Sequence, residues 1–348
     1  MPWAAGSLGG VDSAGAGVVD VLGLGGVYRD PLWRVTVELS GLERDLLRSW
    51  WVRRLAFVAH AGAAAITTVQ TYTRLEHSLG LLALVTHFAP DDVTARAAAL
   101  VHDIGHLPLS HTFEGVAGLD HHTLGAQRLA ELTPLLEGHG VAAVDVAAVA
   151  FGRRPSVLRG ARGALRLDHL DSLLRSGRAH ARTGEPPPLT LSRLTIVDGA
   201  ISTDGATGRY LQELIVGEAQ LHCSPANVIA NGVVRHLAEA MLAGCGAPEL
   251  ATVAAMTDDQ FWTALLNHPD TAATADALRR DPTTWTLTDT DTDTDTDTDS
   301  AEVVIDHVVS RLYLDLPLIE GQAGQARSDA FDGLPPVPRS YRITRRPR

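Results

Sequence analysis

The chain has 348 residues, 45% of them hydrophobic, which is enough for two modest domains or one large domain with appendages. The net charge is −12, but six of the acids are aspartates at alternate positions from 289 to 299, and without them the balance is about −6. A global basic character is missing, which argues against a dedicated nucleic-acid-binding module. All 29 basic residues are arginine, which excludes Schiff-base chemistry on lysine and a P-loop lysine.

Cysteine usage and hydropathy bear on the compartment. The two cysteines, Cys223 and Cys245, lack CxxC spacing, which favours a reducing compartment over a disulfide scaffold. The sequence shows no basic segment followed by a long apolar core at its start, and no uncharged apolar stretch of about 18 residues. We therefore predict a cytoplasmic protein with no membrane segment.

Taken in chain order, the sequence predicts a mainly α fold with small β elements. Alternating apolar residues in 28–39 predict a short strand, and the pattern from Leu42 to Gly177 is helical. Three helices are predicted most clearly: one that ends in "VHDIGH", one over 121–132 and one over 164–177. A proline-rich connector and a hairpin are expected in 183–205, after which helices resume.

Three regions follow from this pattern. Residues 1–27, rich in glycine and alanine, are predicted to be a flexible leader, and 28–245 a helical core. Residues 246–348 form a C-terminal α(+β) region. It includes the low-complexity run 288–300, for which disorder is expected, and a basic, solvated tail.

Histidines concentrate in one part of the chain, with seven of the 15 between positions 77 and 122. His102 and Asp103 are neighbours near a helix end, so they can bind one ion only if it lies beside the helix terminus. An antiparallel helix pair would bring His77 back to them, and Asp168 is the best candidate for a fourth, anionic ligand. Such mixed nitrogen and oxygen donors suit Mn, Fe, Co, Ni or Zn better than Ca. We expect one ion per chain rather than two.

Four motifs carry a family resemblance: "TRLEHSLG" (73–80), "HDIGHLPLSHTFE" (102–114), "DHHTLG" (120–125) and "RLDHLDSLLRS" (166–176). Together they resemble the HD-domain phosphohydrolases, and most closely the deoxynucleoside triphosphate triphosphohydrolases that include the SAM-and-HD-domain enzyme and bacterial dGTPases. The resemblance covers roughly 28–245. It implies an HD helical core, cleavage of a (d)NTP to nucleoside and triphosphate, and a homo-oligomer.

The resemblance also assigns roles to individual residues. The metal ligands implied are His77, His102, Asp103 and Asp168. The implied catalytic histidines, which hold phosphates or transfer protons, are His106, His111 and His122, with His122 preferred to its neighbour because Gly125 then aligns with a family glycine. The resemblance also implies that Arg74 binds phosphate. Further candidate substrate contacts are His121, His169, Asp171 and Arg175. Two of these roles stay open: His121 is equally a helix cap, and an ion pair of Asp171 with Arg175 that stiffens their helix is favoured over a substrate contact.

The last motif departs from the family pattern. Arg166 replaces the first aspartate, and His169 replaces the basic residue beside the metal aspartate. Ser172 and Ser176 replace the tyrosine and closing aspartate that hold the deoxyribose in the family. The residues that match the family's metal ligands are therefore all present, whereas those that match its deoxyribose contacts are replaced.

Other functions stay open. A phosphatase for nucleoside monophosphates or a specialised nucleotide would fit Ser172 and Ser176. A di-iron oxygenase would recruit His106, His111 and His122 for a second iron. A non-catalytic nucleotide sensor would bind nucleotide without turnover.

Overall fold

The computed structural model describes residues 21–22, 24–290, 303–320 and 331–346. Most of the predicted leader and most of the Thr-Asp run therefore lie outside the described residues. Helices dominate the described part, which confirms the mainly α prediction. They are α1 (Gly41–Arg48), α2 (Trp50–Arg54), α3 (Arg74–Phe88), α4 (Val93–Val101), α5 (His121–Glu131), α6 (Thr133–Gly138), α7 (Ala143–Ala150), α8 (Leu167–Ala179), α9 (Pro187–Leu191), α10 (Gly205–His222), α11 (Pro225–Leu242), α12 (Ala247–Ala254), α13 (Asp258–Asn267) and α14 (Ala272–Arg280).

Local signals fix the helix ends that matter for the site. At the start of α3, the Thr73 side chain accepts from the Glu76 N–H, and the Glu76 side chain accepts from the Thr73 N–H. This capping box satisfies two backbone donors that the first turn leaves unpaired. At the start of α4 the Asp92 side chain accepts from the Ala95 N–H, and α4 ends at Val101. The His-Asp pair therefore follows the helix end directly, as the sequence predicted.

Short strands form three small sheets. The strands are β1 (Val27–Arg29), β2 (Thr36–Glu38), β3 (Thr195–Val197), β4 (Ala200–Thr203), β5 (Trp285–Asp289), β6 (Val303–Val309), β7 (Leu318–Ile319) and β8 (Arg339–Arg345). β1 and β2 are an antiparallel pair; β3 and β4 form the predicted hairpin, with β7 parallel to β4. β8 lies between β5 and β6 and is antiparallel to both. The prediction of a solvated basic tail is wrong for β8, because Tyr341 and Ile343 are buried in the sheet's contact with α11.

Two apolar clusters hold the described residues together. One surrounds α3 and includes α4, α8 and the β1–β2 hairpin; the other surrounds α11 and includes α13, α14 and the β5-β8-β6 sheet. Buried arginines bridge them: Arg54 donates to the carbonyls of His106 and Met256, and Arg128 donates to that of Ala254. Across the described ranges, we find no helix that is both long and apolar enough to span a membrane.

Candidate metal centre

Three side chains from three elements converge beside the end of α4. His77 Nε2 lies 3.1 Å from Asp168 Oδ1 and 3.3 Å from His102 Nε2, and His102 Nε2 lies 3.9 Å from Asp168 Oδ1. Ligand atoms held at about 2.1 Å around one ion are separated by roughly 3.0–3.4 Å in octahedral or tetrahedral geometry. Two of the three separations lie in this range and the third is about 0.5 Å longer, so a small movement of His102 or Asp168 would let all three donor atoms bind a single ion.

The outer nitrogens of both imidazoles show which tautomer faces the centre. His102 Nδ1 donates to the carbonyl oxygen of Ala99 at 2.9 Å, and His77 Nδ1 donates to Asp171 Oδ2 at 2.8 Å. If both rings were neutral, both Nε2 atoms would be unprotonated, and two lone pairs 3.3 Å apart repel each other unless a proton or a metal ion lies between or beside them. Burial alone would lower the pKa of His77, but hydrogen bonds to Asp168 and Asp171 raise it to about 9. The centre is thus built to hold positive charge, and a divalent ion fits it.

Asp103 lies at the edge of this group. Its Oδ1 is 3.3 Å from His102 Nε2 and 3.1 Å from His106 Nε2, and its Oδ2 accepts from Arg74. Burial alone would raise the pKa of this carboxyl, but His102, Arg74 and His106 hold it well below its usual range. Asp103 is therefore an anion beside the three-residue group. Its role as a fourth ligand stays a prediction.

Arg74 does not stand at an open phosphate site. Its guanidinium is buried, with Nη1 donating to Asp103 Oδ2 at 2.9 Å and Nε donating to Ser110 Oγ at 2.9 Å. In this structure the planar donor group pairs with an internal carboxylate, so Arg74 fixes Asp103. Its predicted phosphate contact stays a prediction.

Asp171 and Arg175 are also internal. Asp171 is completely buried and accepts from His77 Nδ1 at 2.8 Å, from Arg175 Nε at 2.8 Å and from Trp33 Nε1 at 2.6 Å. Arg175 Nη2 continues the network to the buried Asp30 at 2.6 Å. The predicted substrate contacts are therefore corrected to a network that orients His77, and the alternative of an ion pair on α8 is confirmed.

Close helix packing makes this network possible, and sequence reasoning missed it. A Cβ added at Gly80, three residues after His77, would overlap the Asp171 carboxylate and the Arg175 guanidinium. The glycine of "EHSLG" therefore leaves room for the ion pair between α3 and α8. Asp30 and Trp33 of "RDPLW" are both buried and complete the network from the β1–β2 hairpin. An aspartate three residues before a tryptophan was the sequence signal that could have indicated this network.

A second group of imidazoles adjoins the first. The His106 ring stacks on His121 with centroids 4.7 Å apart and an angle of 9° between planes, and lies 4.5 Å from the ring of His111. Glu114 Oε1 accepts from the His121 backbone N–H at 2.9 Å and lies 3.1 Å from its Nδ1. Burial alone would raise the pKa of Glu114, but the hydrogen bonds from His111 and His121 lower it strongly.

His121, and not His122, belongs to this group. His122 is exposed and its ring contacts that of His121, 4.0 Å away. The cause is the approach of α5: a Cβ on Gly105 would overlap the His121 carbonyl oxygen and the backbone of Gly125. This contact turns His121 towards the "HDIGH" turn, while the catalytic role of His122 stays a prediction.

His169 lies on the outer side of the centre. Its Nε2 accepts from Arg166 Nη2 at 2.6 Å, so the proton of the neutral ring is on Nδ1, which lies 2.7 Å from Asp315 Oδ2. Arg166 Nε in turn lies 3.6 Å from Asp168 Oδ2. These contacts join the start of α8 to the segment 311–316.

Comparison with known proteins finds a domain match over this geometry. Residues 74–184 match the model of the family described as HD domain. The limits of this match enclose the three converging side chains and both imidazole groups.

Two curated proteins from distant organisms are similar to part of the chain. Over 108 residues the chain is 33% identical to the uncharacterized protein YwfO of Bacillus subtilis and 32% identical to the uncharacterized protein MJ1154 of Methanocaldococcus jannaschii. These matches cover 27% and 30% of this chain and 25% and 24% of the relatives, so the chain spans about a quarter of the curated relatives that it matches.

Solved structures share the fold more widely. A phosphohydrolase from Bacteroides thetaiotaomicron has a TM-score of 0.67 at 16% identity, over 92% of this chain and 100% of that one. A hypothetical protein from Aquifex aeolicus has the same TM-score and identity, over 92% of this chain and 96% of that one. The likeness therefore extends well beyond the HD domain, and at this identity it concerns the fold.

Proposed function

We propose that the protein is a metal-dependent phosphohydrolase that acts on nucleotides and converts a (d)NTP to nucleoside and triphosphate. The observation that carries the proposal is the convergence of His77, His102 and Asp168, with the Nε2 atoms of both imidazoles facing inwards, next to a separate imidazole group. The name of the Bacteroides structure and the HD domain itself support hydrolysis of phosphoesters. The nucleotide and its mode of cleavage rest on the motif resemblance.

The cofactor is proposed to be one divalent ion, of Mn, Fe, Co, Ni or Zn, held by His77, His102 and Asp168 with Asp103 as the fourth ligand. When bound, such an ion supplies a Lewis acid that lowers the pKa of water towards neutrality. Asp171 holds His77 in the tautomer that leaves Nε2 free, and Arg74 holds Asp103 in its ionised form.

The neighbouring imidazoles would act on the phosphates. His106 is buried, and burial together with Arg74 keeps its pKa well below the usual range, so the ring is neutral. Its Nε2 side faces Asp103, and within the described residues its buried Nδ1 has no hydrogen-bond partner, so this nitrogen is free to accept a hydrogen bond from substrate. The half-exposed His111 can reach substrate and donate to a phosphoryl oxygen near neutral pH.

Sugar recognition is proposed to be relaxed. The Ser176 hydroxyl is buried and donates to Glu218 at 2.5 Å, so it faces the interior. Ser172 donates to the His169 carbonyl oxygen at 3.1 Å and has no side chain long enough to cover a ribose. The nucleotide is the proposed partner, and the homo-oligomeric state and the cytoplasmic location stay predictions.

The test is turnover by the full chain reconstituted with Mn and then with other divalent ions, against dNTPs, NTPs and nucleoside monophosphates, with products separated by chromatography. We expect nucleoside plus triphosphate, abolished in Asp103→Ala and unchanged in the exposed control Asp145→Asn. Release of phosphate from nucleoside monophosphates alone would show that the protein is a nucleoside monophosphate phosphatase and not a triphosphohydrolase. Binding without turnover would support a sensor and contradict hydrolysis.

A di-iron oxygenase is the second candidate function. The observation in its favour is that His111, Glu114 and His121 each place a ligand atom within 4.8 Å of the others, so a second ion could bind beside the first. Iron analysis of protein purified without chelator distinguishes the two. Two irons per chain with oxygen consumption would favour the oxygenase, and one ion with phosphate-ester cleavage would favour the hydrolase.

A further inference from the structure

Residues 311–316 form a strap, so named here, that crosses the start of α8 next to the candidate metal centre. It is fixed at one end by paired backbone bonds: the Leu165 N–H donates to the Leu316 carbonyl at 2.8 Å, and the Leu316 N–H donates to the Gly163 carbonyl at 3.0 Å. Leu312 is buried, and Asp315 lies 2.7 Å from His169 Nδ1. The strap is therefore a rigid neighbour of the residue that follows Asp168.

One aromatic side chain of the strap points outwards. Tyr313 is 41% exposed, and its ring lies 5.3 Å from that of His169 at an angle of 77°. The His222 ring, at the end of α10, is 6.4 Å away at 75°. These ring contacts limit the movement of Tyr313, so presenting it to a ligand costs little further side-chain entropy.

Charges of both signs surround this ring, because the Asp315 carboxylate contacts His169 and the Glu218 carboxylate contacts His222. The Arg311 guanidinium carbon lies 4.8 Å from the Tyr313 centroid, and Arg166 lies one residue further in, bonded to His169 and close to Asp168. From the metal centre outwards, the order is a carboxylate ligand, an arginine, an imidazole and an exposed phenol ring with an arginine over it. A ligand that has phosphates at one end and a flat ring at the other matches this order.

We infer that Tyr313 is the stacking platform for the base of the nucleotide, and that the strap forms the wall of the substrate site opposite the imidazole group. The inference rests on the proposed function and adds to it the residue that binds the base. A stacked aromatic side chain contributes affinity with little dependence on base identity, because every base has a flat face. The wall therefore favours nucleotides over base-free phosphates without selecting one base.

The experiment compares Tyr313→Ala, Tyr313→Phe and the control Trp50→Ala in the full metal-loaded chain. Trp50 is 53% exposed and its ring lies against Phe57, so it matches the loss of an exposed aromatic side chain. Two quantities are measured: the KM for each nucleotide that the wild type hydrolyses, and the Ki of inorganic tripolyphosphate as a competitive inhibitor. Tripolyphosphate has no base and so reports the phosphate and metal contacts alone.

We expect Tyr313→Ala to raise the KM about tenfold for each of these nucleotides, with kcat and the tripolyphosphate Ki within about twofold of wild type. Tyr313→Phe keeps the flat ring and should keep the KM, as should Trp50→Ala. An unchanged KM in Tyr313→Ala, or a Ki that rises in parallel with it, overturns the stacking role. A wild type that hydrolyses no nucleotide overturns the proposed function, and the inference with it, before any variant is measured.

Discussion

The buried carboxylate of Asp171 offers a direct test of how the candidate metal centre is held together. Asp171→Asn keeps the shape of the side chain and replaces one oxygen with an NH2 group. Three donors now point at the carboxylate: His77 Nδ1 and Arg175 Nε at Oδ2, and Trp33 Nε1 at Oδ1. Whichever way the amide turns, its NH2 group meets at least one of them donor to donor.

The magnitude follows from these contacts. A buried donor left without an acceptor costs about 1–3 kcal/mol, and breaking a buried ion pair costs up to about 3–5 kcal/mol. Arg175 retains Asp30, so we expect the free energy of unfolding to fall by about 2–3 kcal/mol. If the NH2 group faces His77, that ring accepts at Nδ1 and carries its proton on Nε2, where the ion binds. Losing such an outer partner weakens metal affinity about 10- to 100-fold.

The assay is isothermal titration calorimetry of the metal-free protein with Mn and with Zn. Urea unfolding of the same metal-free protein gives its free energy of unfolding. Asp145→Asn is the matched control, because it makes the same substitution in an exposed pair with Arg154. The reasoning is refuted if Asp171→Asn folds like the wild type and binds both ions within about twofold of it. A loss of stability with full metal affinity would leave Asp171 a packing role only.

Two further predictions concern packing and pH. Gly80→Ala should lower metal affinity at least tenfold, because the added methyl group overlaps the Asp171–Arg175 pair. The control Gly138→Ala, which has open space around it, should change metal affinity little. The same titration measures both variants, and equal affinities would contradict the packing argument. Burial, aided by Arg235, lowers the pKa of His307 to about 4, so the unfolded chain takes up this proton first as the pH falls. The free energy of unfolding therefore keeps its full value above pH 6.5 and falls as the pH approaches 4, by at most about 3 kcal/mol. Urea unfolding across that range should show a shallower pH dependence in His307→Gln, and an identical dependence would refute the assignment.

Much of the candidate site was predictable because its signals are local. A capping box at Thr73 starts α3, and the end of α4 sets His102 and Asp103 beside a helix terminus. His77 can reach that pair only if two helices joined by a short link pack antiparallel, and α3 and α4 pack against each other in this way. These short-range rules bring His77 to His102, whereas Asp168 was chosen for the chemistry of its carboxylate and reaches them only through the packing of α8 on α3.

The tertiary structure alone decided which polar residues are occupied internally. Helical spacing places Asp171 and Arg175 on one side of α8, but it does not say that α3 covers that side or that Gly80 leaves room for them. In the same way, the approach of α5 to Gly105 selects His121 over His122, and the pairing of β8 with β6 buries part of a basic tail. Each outcome depends on contacts between residues far apart in sequence. Periodicity determines the faces of an element, whereas only packing determines what covers them.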